Sequence, residues 1–413
     1  MDELLYLVHR IPYPPNKGDK IRSYHLLKHL AQFYTIHIGA FVDTEEDWRH
    51  ADMLSKLAGG EVKLLPLDAR WATLKSTYGL LSGEPLTFPY YRDSRMQRWV
   101  DRLLARRAVT RSLAYSSGMA QYLMRHQHLR RVIDFVDIDS DKWRQYADQR
   151  TGIMRWVFQR ESRRLFKMER RIAQTFDAST FVSEAEANLF KQLAPECANK
   201  VFSFSNGVDA DVFSPTHSFA SPYAANEVAL VFTGAMDYWP NADAVTWFAN
   251  EVWPAVLRAR PSSRFYIVGS RPTPAVLALG ELSGVVVTGM VPDIRPYIAH
   301  AALSVAPLRI ARGIQNKVLE AMSMAKIVIA SPQALEGIGA QPGKEMLLAN
   351  DVETWVRQIN DALTGHHAAM GISARERVLS DFSWPAHLSI IERLLDKGRE
   401  NTSVALNALV NVA

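Results

Sequence analysis

Short apolar runs of about four to eight residues alternate with stretches of helical spacing along most of the chain. No other feature constrains the fold as strongly. The chain opens on Leu4-Leu5-Tyr6-Leu7-Val8, crosses a loop rich in Pro and Gly from Pro12 to Lys20, and then sets Ile21, Tyr24, Leu27, Leu30 and Ala31 at helical intervals before a second apolar run, Thr35–Val42. A strand that is apolar on both faces has to be covered on both, and parallel sheets achieve this with crossover helices. The opening is therefore a β-α-β unit. Its repetition predicts a parallel, doubly wound α/β architecture, with further strands at Val132–Val136, Ala178–Val182, Leu230–Thr233, Phe265–Val268, Val285–Thr288, Leu303–Ala306 and Ile327–Ala330 and long helices at Met96–Arg107 and Val157–Thr175.

At roughly 100 to 200 residues per domain, 413 residues make two or three domains. The periodicity breaks at Ser205-Asn206-Gly207-Val208-Asp209 and stays broken through Phe213-Ser214-Pro215 to Ala225, which reads as a link. The expected division is 1–205, 206–380, a helix at 381–400 packing back toward the first domain, and a tail at 401–413. Hydrophobic residues make up 48% and charged residues 22% of the chain, values that exclude a disordered or fibrous protein. The single cysteine, Cys197, cannot form an internal disulfide, and no apolar stretch reaches the roughly 18 to 20 residues of a membrane span. Neither a basic n-region nor a cleavage site follows Met1. These points lead to a cytoplasmic protein as the expectation.

The net charge of +5 averages two unlike halves. Residues 1–205 carry 32 Lys and Arg against 24 Asp and Glu, whereas 206–413 carry 16 against 19. Between Arg92 and Arg131 ten arginines face only Asp93 and Asp101, and Arg150 to Arg171 holds eight basic residues against Glu161 and Glu169. Such density reads either as a solvated helix face or as a surface for phosphates, including those of an anionic membrane. No zinc-finger spacing, ribonucleoprotein aromatic motif or arginine-rich tail accompanies it, so nucleic acid is not an expected partner.

The segment from Ala306 to Met322 carries the most chemistry. It lies between an expected strand and a helix beginning near Gln315, at the sheet edge where α/β proteins bind ligands. Gly313 allows backbone amides to approach a phosphate closely, the helix N-terminus offers free N–H groups, and Arg309 and Lys317 add full charges. Glu320 falls one turn beyond Lys317 on the same face, where a carboxylate can accept hydrogen bonds from two ribose hydroxyls. A nucleoside diphosphate matches that order, and a plain surface Lys–Glu pair is the alternative. Gly18, after the first strand and opening a helix, suits close approach to a phosphate or a simple turn. Asp137, Asp139 and Asp141 alternate after a strand; they could bind a divalent ion, accept a hydroxyl proton or cap the next helix. The histidines show no metal-ligand spacing.

Asn206-Gly207-Val208-Asp209 with Phe213 and Pro215, Phe232-Thr233-Gly234, Phe265-Tyr266-Ile267-Val268-Gly269, Thr288-Gly289-Met290-Val291-Pro292-Asp293 and Lys317-Val318-Leu319-Glu320-Ala321-Met322 occur in the order and spacing of family 4 glycosyltransferases, which have the GT-B fold. The resemblance covers nearly the whole chain and is more specific in its C-terminal half. Asp134 to Trp143 and Gly234 to Asn241 resemble the branch associated with exosortase A and PEP-CTERM exopolysaccharide systems. The fold this implies is two Rossmann-like parallel-sheet domains facing across a cleft. The implied activity is retaining transfer of a sugar from a nucleoside diphosphate sugar to a glycan or polyprenyl-linked acceptor, with no metal required and a peripheral seat on the membrane's inner face.

The resemblance also implies roles. Arg309 and Lys317 would hold the donor diphosphate, Glu320 the ribose, backbone near Val291 and Pro292 the base, and Gly18 and Gly234 would line the donor. Asp139 would act near the reacting sugar, with Asp137, Asp141 and Lys142 on the acceptor side. Two departures stand out. Family members often carry a second glutamate where this chain has Arg312, leaving the sugar's identity open. They also often carry a basic residue soon after Gly234, where Met236-Asp237-Tyr238 stands here. An epimerase of the same fold and a non-catalytic nucleotide-binding assembly protein are the alternatives.

Overall fold

A computed structural model describes residues 1–396 apart from 16, 17, 149, 150, 312, 313, 337, 366 and 368. The chain forms two compact units, Met1–Asn206 together with the chain from His387, and Gly207–Ala386. Seven strands build the sheet of the first unit: β1 (Asp2–Val8), β2 (Tyr34–Val42), β3 (Gly59–Pro66), β4 (Arg111–Tyr115), β5 (Arg130–Val136), β6 (Ala178–Phe181) and β7 (Val201–Ser203). Their order is β3-β2-β1-β4-β5-β6-β7, every pair parallel. Because β1 sits centrally between β2 and β4, Leu4 to Val8 are fully buried, as an apolar run without alternation requires. The helix Ser94–Arg106 covers one face with Met96, Trp99, Val100 and Leu103. It lies so close to β2 that a Cβ on Gly39 would stand 2.8 Å from Met96 Sδ.

The second unit repeats the plan with six parallel strands: β8 (Val228–Thr233), β9 (Ser263–Val268), β10 (Val285–Gly289), β11 (Leu303–Ala306), β12 (Val328–Ala330) and β13 (Leu347–Leu348). Their order is β10-β9-β8-β11-β12-β13. In each sheet the order reverses beside the first strand, between β1 and β4 and between β8 and β11. Crevices at such reversals are where open α/β sheets bind ligands. Both units are thus parallel-sheet α/β domains. The helix Trp384–Asp396 supplies Glu392 to His29 at 2.6 Å and Asp396 to Arg111 and Tyr34 at 3.0 and 2.9 Å, so the first unit is built from two separate stretches of chain.

The arginine-rich stretch does not form one free basic face. Arg92 pairs with Glu84, Arg95 with Asp93, Arg106 and Arg107 with Glu61, Arg111 with Asp2 and Asp396, and Arg125 with Asp101. Arg131 is buried, donating to the carbonyl of Thr175 at 2.6 Å with its guanidinium over Phe176. No described helix is long and apolar enough to cross a membrane.

Candidate functional site

Each unit carries a recess beyond the C-terminal ends of its central strands. In the second unit it holds about 460 Å³ and is lined from β8 by Thr233 and Gly234, from β9 by Val268 and Gly269 with Ser270 beyond, after β10 by Met290 and Val291, and by Lys317 and Glu320. Its floor exists because two backbones nearly touch. A Cβ on Gly269 would lie 1.6 Å from the Gly234 carbonyl oxygen, and one on Gly234 would meet Asn241 Nδ2 at 2.7 Å and Lys317 Cε at 3.3 Å.

Lys317 and Glu320 stand one turn apart on the helix Asn316–Ser323. Lys317 donates from Nζ to Asn241 Oδ1 at 2.8 Å, and Asn241 is itself fixed by donating from Nδ2 to the Ala235 carbonyl at 2.9 Å. Burial pushes Lys317 down to about 8 and Glu320 up to about 7, each opposed by the other's charge. A cation and a carboxylate, each with its charged form disfavoured by burial, therefore share a hollow floored by Gly234 and Gly269. The set can bind an anion and accept hydrogen bonds from hydroxyls. Gly234 and Val291 line this hollow, whereas Arg309 does not: half-exposed, it is held by Asp243, with Nε 3.0 Å from Oδ2. Arg312 and Gly313 lie outside the described residues.

The recess of the first unit is larger, about 860 Å³, and opens at the reversal point between β1 and β4. His9 follows β1 directly and stacks on Tyr115 (centroids 5.6 Å apart, 3° between planes), with Tyr91 edge-on at 5.7 Å. Its Nε2 lies 3.4 Å from Asp19. Burial works to raise Asp19, but the hydrogen bond from His9 and the charge of Arg10 hold it well below the usual carboxylate range. Gly18, at the start of the helix Gly18–Leu30, lines this recess beside Asp19. Ser116 (φ 75°) and Val136 (φ 70°), two non-glycine residues in the left-handed region, also line it. Such strain persists only where the surroundings enforce it, and a β-branched residue bears it worst.

The three aspartates part company. Asp137 and Asp139 both face the recess and share Lys142, whose Nζ lies 2.6 and 3.3 Å from them. Burial raises Asp139, and Lys142 draws it partly back. Asp141 turns aside to Arg144 and Gln145, both at 2.7 Å, and does not line the recess. Among the described residues no group of three or more His, Cys, Asp or Glu converges as a metal site. Asp139 and Asp141 do lie in the first turn of the helix Asp139–Asp148, where negative charge favours the helix.

Behind the recess runs the helix Gly152–Thr175, which grips two of its walls with buried carboxylates. Glu161 accepts from the Leu86 N–H at 2.7 Å and from the Thr87 N–H at 3.3 Å, anchoring the turn that presents Tyr90 and Tyr91. Glu169 accepts from Ser140 Oγ at 2.5 Å and from its N–H at 3.2 Å, anchoring the helix that presents Asp139, Lys142 and Trp143. Burial pushes Glu169 up to about 8. Arg22 closes the floor: fully buried, it donates to Asp134 at 2.7 Å, to the Phe204 carbonyl at 3.0 Å and to Asn206 at 2.9 Å.

Sequence reasoning overlooks His9, Tyr91, Tyr115 and Trp143 in the first recess and Asn241 and Ser270 in the second. His9 had a usable signal, since it stands one residue past the first strand at the ligand-binding edge of a parallel sheet.

Residues 227–365 match the family model described as "Glycosyl transferases group 1". No curated protein matches the chain. Among solved structures, sucrose-phosphate synthase from Thermosynechococcus elongatus is similar over 98% of this chain and 100% of its own, with a TM-score of 0.57 and 16% identity. HepE of Anabaena in complex with UDP is similar over 95% of this chain and 99% of its own (TM-score 0.57, 15% identity). A glycosyltransferase from Rickettsia africae is similar over 96% and 98% (TM-score 0.59, 13% identity). At these identities the likeness is one of fold, and it extends over both units. The matched segment, 227–365, holds the whole lining of the second recess, from Thr233 to Glu320. Residues 227–365 therefore form a glycosyl transferases group 1 domain, within a chain whose two units have the GT-B fold.

Proposed function

We propose that the protein transfers a sugar from a nucleoside diphosphate sugar to a hydroxyl of a glycan or polyprenyl-linked acceptor, with retention at the anomeric carbon, as a step of exopolysaccharide assembly of the PEP-CTERM, exosortase-associated kind. The observation that carries it is the placing of Lys317 and Glu320, one turn apart, in a hollow of the matched domain. In this reading Lys317 faces the diphosphate, Glu320 accepts from the ribose hydroxyls, and backbone near Val291 meets the base. Gly18 and Arg309 are the remaining donor candidates, and Arg309 would first have to leave Asp243.

The first recess takes the acceptor. Tyr91, Tyr115 and Trp143 offer faces for a sugar ring, and Asp137 and Asp139 offer acceptors for its hydroxyls. In the reaction the acceptor oxygen bonds to the anomeric carbon as the bond from that carbon to the β-phosphate oxygen breaks. The hydroxyl proton leaves with the diphosphate, whose growing charge Lys317 and neighbouring amides stabilise. UDP, which the structure of HepE contains, is the natural first probe.

The test is a thermal-shift and calorimetric screen of UDP, GDP and ADP and of their sugars. At 100 times its Kd a ligand stabilises the protein by about 2.7 kcal/mol. Wild type should bind one diphosphate, and Lys317→Ala should cut the stabilisation at that concentration to about 0.4–1.4 kcal/mol. A shift unchanged by this substitution places the donor elsewhere. The anomeric configuration of the product, read by NMR, decides retention.

A further inference from the structure

The first turn of the helix Gly152–Thr175 stands clear of the protein: Thr151 to Trp156 are all exposed, among them Ile153 at 77% and Trp156 at 56%, before Arg160 and Glu161 become buried. Three apolar side chains within four residues, Ile153, Met154 and Trp156, thus meet solvent, with Tyr146 of the preceding helix also exposed. Monomeric proteins rarely expose such a cluster without a use for it. Further along the same helix Arg163, Arg164 and Lys167 are exposed, and none has a carboxylate partner among the described residues. That sets them apart from the Arg92–Arg131 stretch, where six of the ten arginines are paired with acids.

The helical repeat puts Ile153, Trp156, Arg163, Arg164 and Lys167 within about 100° of one another on one side, interrupted by Arg160, which is buried there and donates to the Gly79 carbonyl at 2.6 Å, while Met154 extends the tip on the other side. Glu161, Leu165, Glu169 and Ile172, all buried, point the other way. At about 1.5 Å per residue Arg163 lies roughly 10 Å behind Trp156. An apolar tip followed by cations at that depth is the profile of a helix that enters a bilayer interface, where apolar groups sink about 5–10 Å and basic groups stay with the phosphates.

We propose that the tip of this helix seats the protein on an anionic bilayer, with Ile153, Met154 and Trp156 in the interface and Arg163, Arg164 and Lys167 on lipid phosphates. The same helix grips the walls of the first recess through Glu161 and Glu169, and Phe158 meets Trp143 of that recess at 5.1 Å. Seating the tip would bring this recess to a lipid-borne acceptor. The inference deepens the membrane-facing part of the proposed function and uses none of the donor residues.

The experiment is flotation of the full chain with phosphatidylcholine vesicles, with and without phosphatidylglycerol. Wild type should float only with the anionic vesicles and be released at high salt. Trp156→Ser with Ile153→Ser should weaken partitioning at least tenfold. Arg163→Ala, Arg164→Ala and Lys167→Ala should each weaken it about fivefold, whereas Arg98→Ala with Arg102→Ala, on the other basic helix, should change it less than twofold. All variants should keep the wild-type melting temperature and nucleotide binding. Absence of binding to anionic vesicles, binding unchanged by the tip variants, or recovery of the tip on a protein partner instead of lipid would each overturn the proposal. Loss of nucleotide binding in wild type with vesicle binding intact would count against the donor-site reading alone.

Discussion

At the scale of single residues, the hollow proposed for the donor depends on two groups whose charges burial disfavours. In the proposed roles Lys317 would have to be protonated to hold a diphosphate, and it gives up its proton near 8, whereas Glu320 would accept ribose hydroxyls best when ionised, which requires a pH above about 7. Affinity for a nucleoside diphosphate should therefore peak between about 7 and 8, falling on the acid side as Glu320 protonates and on the alkaline side as Lys317 deprotonates. Calorimetry across this range checks it: Glu320→Gln should lose the acid limb, and Lys317→Ala should weaken binding by about 10- to 100-fold, the worth of a hydrogen bond to a charged group. Arg309→Ala should cost less than Lys317→Ala, because Arg309 stands outside the hollow on Asp243. An equal loss would show that it swings in when the ligand binds. Gly269→Ala should do damage of another kind, since the new methyl would collide with the Gly234 backbone and deform the floor, lowering the melting temperature and nucleotide affinity together.

At the scale of elements, the helix Gly152–Thr175 is a support whose acids are not there for charge. Glu169 has its pKa raised to about 8, against about 4.5 when unfolded, so the folded state binds the extra proton throughout that interval. Stability from this group is then greatest below about 4.5, declines as pH rises toward 8, and is level beyond. Glu169→Gln keeps an acceptor for Ser140 and carries no such slope; its melting temperature should gain on wild type as pH rises from 5 to 8. Glu169→Ala should instead cost about 1–3 kcal/mol by leaving the Ser140 N–H unpaired, and should raise the KM for the acceptor while leaving nucleotide affinity unchanged. A Glu169→Gln variant that tracks wild type at every pH would show that the carboxylate is ionised in place. Sequence patterning reads elements well where burial is two-sided: β1, β8 and β9 announce themselves as unbroken apolar runs, and β2, β5 and β11 as apolar runs with only isolated polar residues. It misses β3, whose Glu61 and Lys63 alternate with apolar residues at a half-covered edge, and β4, which begins Arg-Ser inside the arginine-rich stretch. The edge strands β7 and β13 are only three and two residues long and leave no periodicity to detect. At the sites, local spacing reveals Lys317 with Glu320, one helical turn apart. It cannot reveal Asn241 beneath Lys317, 76 residues away, nor Asp243 beside Arg309, 66 residues away. Nor does the alternation of Asp137, Asp139 and Asp141 disclose that a helix start between them sends the third aside to Arg144.

At the scale of the whole molecule, the two units differ in how the chain builds them, and this has a consequence for folding. The second unit is one continuous stretch, Gly207–Ala386, and contains the matched segment and all of the donor hollow. Expressed alone it should fold cooperatively, because its core from Leu230 to Val378 closes on itself and its sheet is complete, and it should bind the same nucleotide with the same dependence on Lys317. The first unit cannot be cut out so simply. Residues 1–206 contain its whole sheet, yet Arg111, Arg130, His29 and Tyr34 find partners on the helix Trp384–Asp396, which also buries Leu388, Ile391 and Leu395. Without that helix these polar groups return to water and an apolar face is uncovered, a loss of several kcal/mol at about 25 cal/mol per Å² of apolar area. A 1–206 fragment should therefore melt well below the full chain or aggregate, and a version with residues 384–413 joined through a flexible linker should recover much of the difference. Ile391→Ala in the full chain probes the same contact more gently, at about 2–5 kcal/mol. If 1–206 alone melts as the full chain does, the terminal helix is only an appendage, and the reason for a chain that visits the first unit twice lies outside its stability.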